Sequence, residues 1–153
     1  MKTLIKLLAS GLGTGYSPVA SGTAGSALAA VIFWYLFPRT GPVPALVVLV
    51  TLIASVPVST AAEKLYGKKD DGRIVIDEVV GFWISVLWLP VSLKIVVSAF
   101  LLFRVLDVVK PFFVRKVQSW PGGWGIVADD FFAGLITNLI LQLGVALGRG
   151  QCH

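Results

Sequence analysis

Two long stretches without a charged residue constrain this chain more than any other feature. Residues 7–38 and 42–62 contain no Asp, Glu, Lys or Arg. Apolar runs of about 18 residues or more are typical of helices that cross a lipid bilayer. The whole chain agrees, because 56% of its residues are hydrophobic and only 14% are charged, whereas a soluble domain carries about 25% charge. The sequence therefore predicts an integral membrane protein.

The apolar segments predict an all-α helical bundle that forms a single domain over residues 1–153. About five membrane-embedded helices are expected, over 26–37, 42–62, 76–89, 92–105 and 131–148. Pro90 is expected to lie near the tip of a hairpin between the third and the fourth.

The N-terminal residues predict two further features of the bundle. Residues 1–9 place Lys2 and Lys6 among leucines and an isoleucine, which indicates a short helix lying on the membrane surface. Residues 10–25 contain five glycines and several hydroxyl side chains. That composition argues against a regular helix and predicts a glycine-rich cytoplasmic loop.

The basic residues predict the orientation of the bundle, because cytoplasmic loops are enriched in Lys and Arg. With the N-terminus in the cytoplasm, all but three of the 13 basic residues lie on the cytoplasmic side, the exceptions being Arg39, Lys94 and Arg149. All eight acidic residues fall on that side as well. The basic residues flank apolar runs and form no stripe with stacking aromatic residues, so we expect contacts with anionic lipid headgroups and no nucleic-acid partner.

Five of the acidic residues stand beside apolar segments: Asp77, Glu78, Asp107, Asp129 and Asp130. Ionisable residues at such positions are unfavourable in a membrane and usually mark a functional site. Several carboxylates at one interface would repel one another unless a cation neutralised them, and a set of oxygen donors favours Mg²⁺. Alternatively, the two acidic pairs cap helix N-termini, but this leaves Asp107, near a helix C-terminus, unexplained.

Cationic and hydroxyl side chains near these acids indicate a phosphate site. Arg104, Asp107 and Lys110 are three residues apart and share one helical face, where the two cations could clamp a phosphate group. A plain ion-pair ladder, with Lys110 reaching the interface, explains the same spacing. The glycine-rich loop adds backbone amides and hydroxyls that suit a phosphate headgroup, although its glycines could equally serve tight packing. The candidate hydroxyl residues are Thr14, Ser17 and Thr23.

Several phosphatase mechanisms are excluded by what the sequence lacks. The single histidine and the single cysteine are His153 and Cys152, so a histidine or cysteine nucleophile within the chain is excluded. The GxxxxGK[ST] signature of a nucleotide-binding P-loop does not occur either. The remaining chemistry is that of carboxylates, a metal ion and water.

Four segments, taken in order, resemble the phosphatidylglycerophosphatase A family. They are GLGTGYSPVASGTAGS (11–26), DDGRIVIDEVVGFW (70–83), FRVLDVVKP (103–111) and GGWGIVADDFFAG (122–134). The likeness covers roughly residues 11–140 and is specific as a set. It implies a multi-pass lipid phosphatase of the bacterial inner membrane, with its active site facing the cytoplasm. Such an enzyme would convert phosphatidylglycerophosphate to phosphatidylglycerol and phosphate with the help of Mg²⁺.

The resemblance carries over to particular residues. It implies that Arg104 and Lys110 bind the phosphate and that Asp129 or Asp130, together with Asp77, takes part in catalysis. The expected Mg²⁺ ligands are Asp77, Glu78, Asp107, Asp129 and Asp130.

A small ion carrier or channel lined by these acids is the alternative function. The charges gather at one face of the expected bundle and leave no polar track across it, which favours the phosphatase. The sequence predicts no oligomeric state.

Overall fold

The computed structural model describes residues 1–37, 42–109, 117 and 119–150. Within these ranges the chain is all-helical, with six α-helices and a 3₁₀ turn over Thr14–Tyr16. The helices are α1 (Lys2–Ala9), α2 (Ser21–Leu36), α3 (Val43–Tyr66), α4 (Ile76–Val86), α5 (Leu93–Val109) and α6 (Gly123–Gly150). The prediction of an all-α bundle is confirmed.

Two of the described helices are long and apolar enough to cross a membrane. The most apolar 18-residue stretches of α3 and of the first 26 residues of α6 have mean hydropathies of 2.2 and 1.8. Only 22% of each stretch is buried. A core helix of a soluble protein would be mostly buried, so these surfaces suit contact with lipid. The 24 residues of α3 extend about 36 Å, which exceeds the roughly 30 Å of a bilayer's hydrocarbon core.

The expected set of about five membrane helices is not confirmed, because among the described helices only α3 and α6 meet these criteria. The reason is clearest for α4, which has 11 residues, nine of them buried. At 1.5 Å per residue α4 extends only about 17 Å. Its apolar character reflects enclosure by the other helices, a property that hydropathy cannot distinguish from contact with lipid.

Helix α4 forms the centre of the bundle and packs against α2, α3, α5 and α6. Glycines allow the closest approach, since a Cβ on Gly134 of α6 would overlap the carbonyl oxygen of Gly81 in α4. Small residues commonly allow membrane helices to approach in this way. Near the other end of α4, the Asn138 side-chain amide donates to the carbonyls of Ser85 (3.2 Å) and Leu87 (2.8 Å). These contacts run in the same order along both helices, so α4 and α6 are parallel.

Helix α2 also runs parallel to α4. Gly22 at its start lies against Glu78, and Trp83 further along α4 donates its indole N–H to the carbonyl of Ala29 (3.0 Å). The helix begins at Ser21, so the expectation of an irregular segment over 10–25 holds for its first eleven residues and is wrong for 21–25. The small residues that weaken a helix in isolation allow this one to pack closely against α4.

The predicted N-terminal helix is present as α1, which rests on α3 through Ile5, Ala9 and Ala62. The Ala9 carbonyl also accepts a hydrogen bond from the N–H of Val75, just before α4 (2.8 Å). Leu4 and Leu7 point away from this contact and are exposed. The first residues of the chain thus help to fix the start of α4.

Candidate active site

Three carboxylates from two helices meet near the start of α4. Asp77 and Glu78 lie in its first turn, and Asp130 projects toward them from α6. One carboxylate oxygen of each residue lies within 4.8 Å of the other two. Asp77 and Asp130 are only 6% and 3% exposed, so water screens their mutual repulsion poorly.

The Asp129–Asp130 pair is placed differently from the sequence expectation of acids at a helix start. Helix α6 begins at Gly123, where the Gly123 N–H donates to the Thr60 hydroxyl (2.8 Å). The pair therefore lies more than one turn inside the helix and does not cap it. The prediction of a helix beginning at residue 131 was wrong because the acids interrupt the apolar run, whereas the helix itself begins at Gly123 and continues through them. The capping alternative is thereby excluded for this pair.

The donor set of the three-carboxylate cluster fits a hard divalent cation. Asp77 Oδ1, Glu78 Oε2 and Asp130 Oδ1 are buried and have no hydrogen-bond partner within the described part of the chain. A buried carboxylate oxygen without a partner is strongly unfavourable. Oxygen ligands from carboxylates are those that Mg²⁺ and Ca²⁺ prefer. These residues could therefore hold such an ion.

Arg104 and Asp107 of α5 border the cluster. Arg104 forms an ion pair with Asp107 at 2.5 Å, and Arg104 and Glu78 both lie against Gly22. The Nε of Arg104 is buried and has no partner among the described residues. The ion pair expected from the spacing is therefore present between Arg104 and Asp107. It leaves the Nε–H of Arg104 able to donate a hydrogen bond beside the acids. Lys110 lies outside the described residues.

Gly22 is a site residue that the sequence reasoning did not single out. A Cβ at this position would overlap Glu78 Oε1 and lie 3.0 Å from a terminal nitrogen of Arg104. The start of α2 therefore lies directly on the site, and only glycine leaves room for both side chains. The available signal in the sequence was a glycine between two hydroxyl residues at 21–23, shortly before the apolar run that begins at residue 26.

The three hydroxyl residues expected to bind phosphate lie in different surroundings. The Thr14 hydroxyl donates to the carbonyl of Gly11 (2.9 Å), and the Ser17 hydroxyl donates to that of Val19 (2.8 Å). Both hydroxyl groups therefore donate to backbone carbonyls of the loop and stabilise the loop itself. Thr23 lies in the first turn of α2, next to Gly22, and is the one of the three nearest in sequence to the acids.

The segment before α4 is held by Asp71 and Arg73. Asp71 accepts hydrogen bonds from the Nε (2.7 Å) and a terminal nitrogen (2.9 Å) of Arg73, whose guanidinium lies 4.0 Å from the ring centroid of Tyr66. These bonds hold the pKa of Asp71 below its usual value. Because α4 begins shortly afterwards, this contact positions Asp77 and Glu78.

Replacing Asp71 by asparagine is expected to lower the melting temperature at neutral pH. The pKa of Asp71 is depressed, so its carboxylate stabilises the fold above the pKa of the unfolded state, about 3.9, and this contribution disappears as the pH falls through the folded value. The difference from wild type should therefore shrink below about pH 4. Thermal unfolding in detergent at several pH values tests this, with Lys69→Gln as the control. A difference independent of pH would contradict it.

Comparison with known proteins gives one consistent family. The profile of the family described as Phosphatidylglycerophosphatase A matches residues 7–145. No solved structure matches the chain with significance.

Three curated relatives were compared with the chain. A protein of Escherichia coli named Phosphatidylglycerophosphatase A is 41% identical over 138 residues, which cover 88% of this chain and 80% of that protein. A protein of the same name from Haemophilus influenzae is 32% identical, with 90% and 86% covered. A Bacteroides thetaiotaomicron protein named Putative phosphatidylinositol-3-phosphatase is 40% identical, with 90% and 91% covered. The chain therefore belongs to the phosphatidylglycerophosphatase A family, whose members are phosphoric monoester hydrolases.

Proposed function

We propose that this protein hydrolyses the phosphomonoester of phosphatidylglycerophosphate, giving phosphatidylglycerol and phosphate, and that it requires Mg²⁺. The observation that carries the proposal is the cluster of Asp77, Glu78 and Asp130, whose buried oxygens lack partners within the described residues beside the available Nε of Arg104. Membership of the family supports the reaction, and two relatives bear the name of this activity.

In this proposal Asp77, Glu78 and Asp130 would hold the cation, with Asp107 and Asp129 as further candidate ligands. A bound divalent ion would offset negative charge on the phosphate oxygens and on the attacking oxygen. Glu78 also lies against Gly22, so the start of α2 keeps this carboxylate directed toward the cluster.

The protein's own side chains would carry out the remaining steps. Arg104 would bind the phosphate through nitrogens not engaged by Asp107, and Lys110 would assist it, because guanidinium and ammonium groups bind phosphate oxygens well. Asp129 or Asp130 would orient the attacking water and accept its proton. Burial of the carboxylates (Asp129 is 4% exposed) would keep other water away from the reacting atoms.

The proposal places the enzyme in the bacterial inner membrane as a single domain with its active site at the cytoplasmic face. The acids lie at the ends of α4 and α5 and in the first part of α6. The predicted excess of basic residues assigns this end of the bundle to the cytoplasm. The phosphate of a lipid in the inner leaflet would lie at the same level.

Ion transport is the less favoured function. On the far side of the acids, Asn138 bonds to backbone carbonyls of α4 and also accepts a hydrogen bond from Gln142 (2.7 Å). These polar groups are thus engaged within the bundle, which suits a structural role better than an ion path. Ion flux into proteoliposomes, with no phosphate release from any lipid, would favour transport instead.

Phosphate release by the purified protein in detergent tests the proposed function. Three lipids are compared, each with Mg²⁺ and with EDTA: phosphatidylglycerophosphate, phosphatidylinositol 3-phosphate and phosphatidic acid. We expect Mg²⁺-dependent release that is fastest from the first. Preference for the second lipid, which the name of the Bacteroides relative suggests, would overturn the substrate assignment. Undiminished release in EDTA would overturn the metal requirement.

A further inference from the structure

A large apolar groove runs between α3 and α6. Its volume is about 550 Å³, within the range of roughly 300–1,000 Å³ typical of ligand sites. Apolar side chains line it, among them Ile53, Val56 and Pro57 from α3 and Trp124, Ala128 and Phe132 from α6. The two helices that form it are the two described helices that qualify as membrane spans, so we expect lipid to surround it.

A second cavity of about 260 Å³ continues along the same pair of helices. Leu52 and Phe131 line both cavities. On α3 they extend together from Ala45 to Pro57, a distance of about 18 Å at 1.5 Å per residue. The hydrocarbon part of one leaflet is about 15 Å thick, half of the roughly 30 Å core. The two cavities thus match the length of a single lipid chain lying along the membrane normal.

The acidic site lies partway along the groove, nearer to one of its ends. Ala128, which lines it, immediately precedes Asp129, and Phe131 and Phe132 immediately follow Asp130. Trp120 and Trp124 lie at the same end, 48% and 61% exposed. Tryptophan is typical of the boundary between hydrocarbon and headgroups. Asp129 is five residues from Trp124, about 8 Å along the helix, so a lipid with its chain in the groove and its headgroup at this end would hold its phosphate within reach of the carboxylates.

From these observations we propose that the groove between α3 and α6 binds one acyl chain of the lipid substrate while its phosphate lies at the acidic cluster. This inference rests on the proposed function and adds a reason for selecting a membrane lipid over a soluble phosphate ester. Binding energy from the chain, remote from the reaction, would position the phosphate among the carboxylates and Arg104.

Chain-length kinetics with a groove-filling variant test the proposal. Val56→Trp places a large side chain in the groove, and Val50→Trp adds the same side chain on an exposed part of α3 outside both cavities. With dipalmitoyl phosphatidylglycerophosphate, Val56→Trp should raise KM about tenfold through lost burial of about two methylenes. With the dihexanoyl lipid its kcat/KM should stay near wild type, which also shows that the variant is folded. Val50→Trp should change neither.

Equal effects of Val56→Trp on both lipids would overturn the proposal, as would equal effects of the two variants. Photo-crosslinking distinguishes failure of this inference from failure of the proposed function, because crosslinking requires no turnover. A phosphatidylglycerophosphate analogue with a diazirine in its acyl chain should label the groove residues of α6. Equal labelling by a phosphatidylcholine analogue would indicate general lipid contact and overturn substrate binding there. A dimer in native mass spectrometry that Val56→Trp dissociates would assign the groove to a second copy of the chain.

Discussion

Replacement of Asp130 by asparagine is expected to reduce phosphate release by a factor on the order of 10²–10³, similar to the loss of other groups that stabilise a transition state. Asparagine keeps the shape of the side chain but removes the charge of one of three carboxylates that lie within 4.8 Å of one another. Divalent cation affinity should fall as well, because the remaining oxygens offer less charge to the ion. Calorimetric titration with Mg²⁺ or Mn²⁺ measures this second effect without turnover.

Asp70→Asn is the matched control for Asp130→Asn. Asp70 is exposed and lies in the turn before α4, outside the cluster. Its backbone has a positive φ of 50°, which asparagine tolerates as readily as aspartate. Its activity and cation affinity should remain near those of wild type. Near-normal activity and cation binding in Asp130→Asn would remove Asp130 from the site.

Gly134→Ala should be among the most damaging single-methyl substitutions in this protein. The added methyl group would overlap the Gly81 carbonyl oxygen and lie 3.2 Å from Ile84 Cβ, so α4 and α6 would have to separate. Such overpacking destabilises a fold by about 1–3 kcal/mol. The same two helices carry Asp77, Glu78 and Asp130, so activity should fall at temperatures where the protein remains folded.

Gly144→Ala provides the comparison on the same helix. A Cβ on Gly144 meets nothing within 4 Å, and alanine favours a helix over glycine by about 1 kcal/mol. The variant should match or exceed wild type in melting temperature and keep full activity. If the two variants had the same melting temperature and the same activity, the close approach of α4 and α6 would not control the site.

The sequence predicted helices well where the reason for helix formation is local. The start of α4 at its acidic pair was expected, whereas α5 continues to Val109, beyond the expected end at residue 105. The start of α6 was missed, because hydropathy there is interrupted by the acids. The start of α2 was missed because its glycines resemble a loop until their contacts with α4 are known. Tertiary packing decides both cases, and packing is not visible in composition.

The candidate site could be predicted in its residue types but not in its arrangement. The sequence indicated that five acids converge, and the structure brings three of them, Asp77, Glu78 and Asp130, within 4.8 Å of one another. The spacing also indicated that Arg104 pairs with Asp107. It could not indicate that Gly22 underlies the site, because that role depends on the distance between α2 and the other two helices. A glycine chosen for close packing and one chosen for a turn look the same in a sequence.

The enclosure of α4 has a consequence for how the protein enters the membrane. This helix is too short to cross the hydrocarbon alone and begins with two adjacent acids, so delivering it to lipid as a separate segment would be unfavourable. We expect the insertion machinery to release it together with α5, as a hairpin, against an already inserted α3. Because α6 also encloses α4 and follows it in the chain, the nascent bundle would hold its acids incompletely shielded until α6 is in place. Completion of the active site would then depend on the insertion of α6 beside α4.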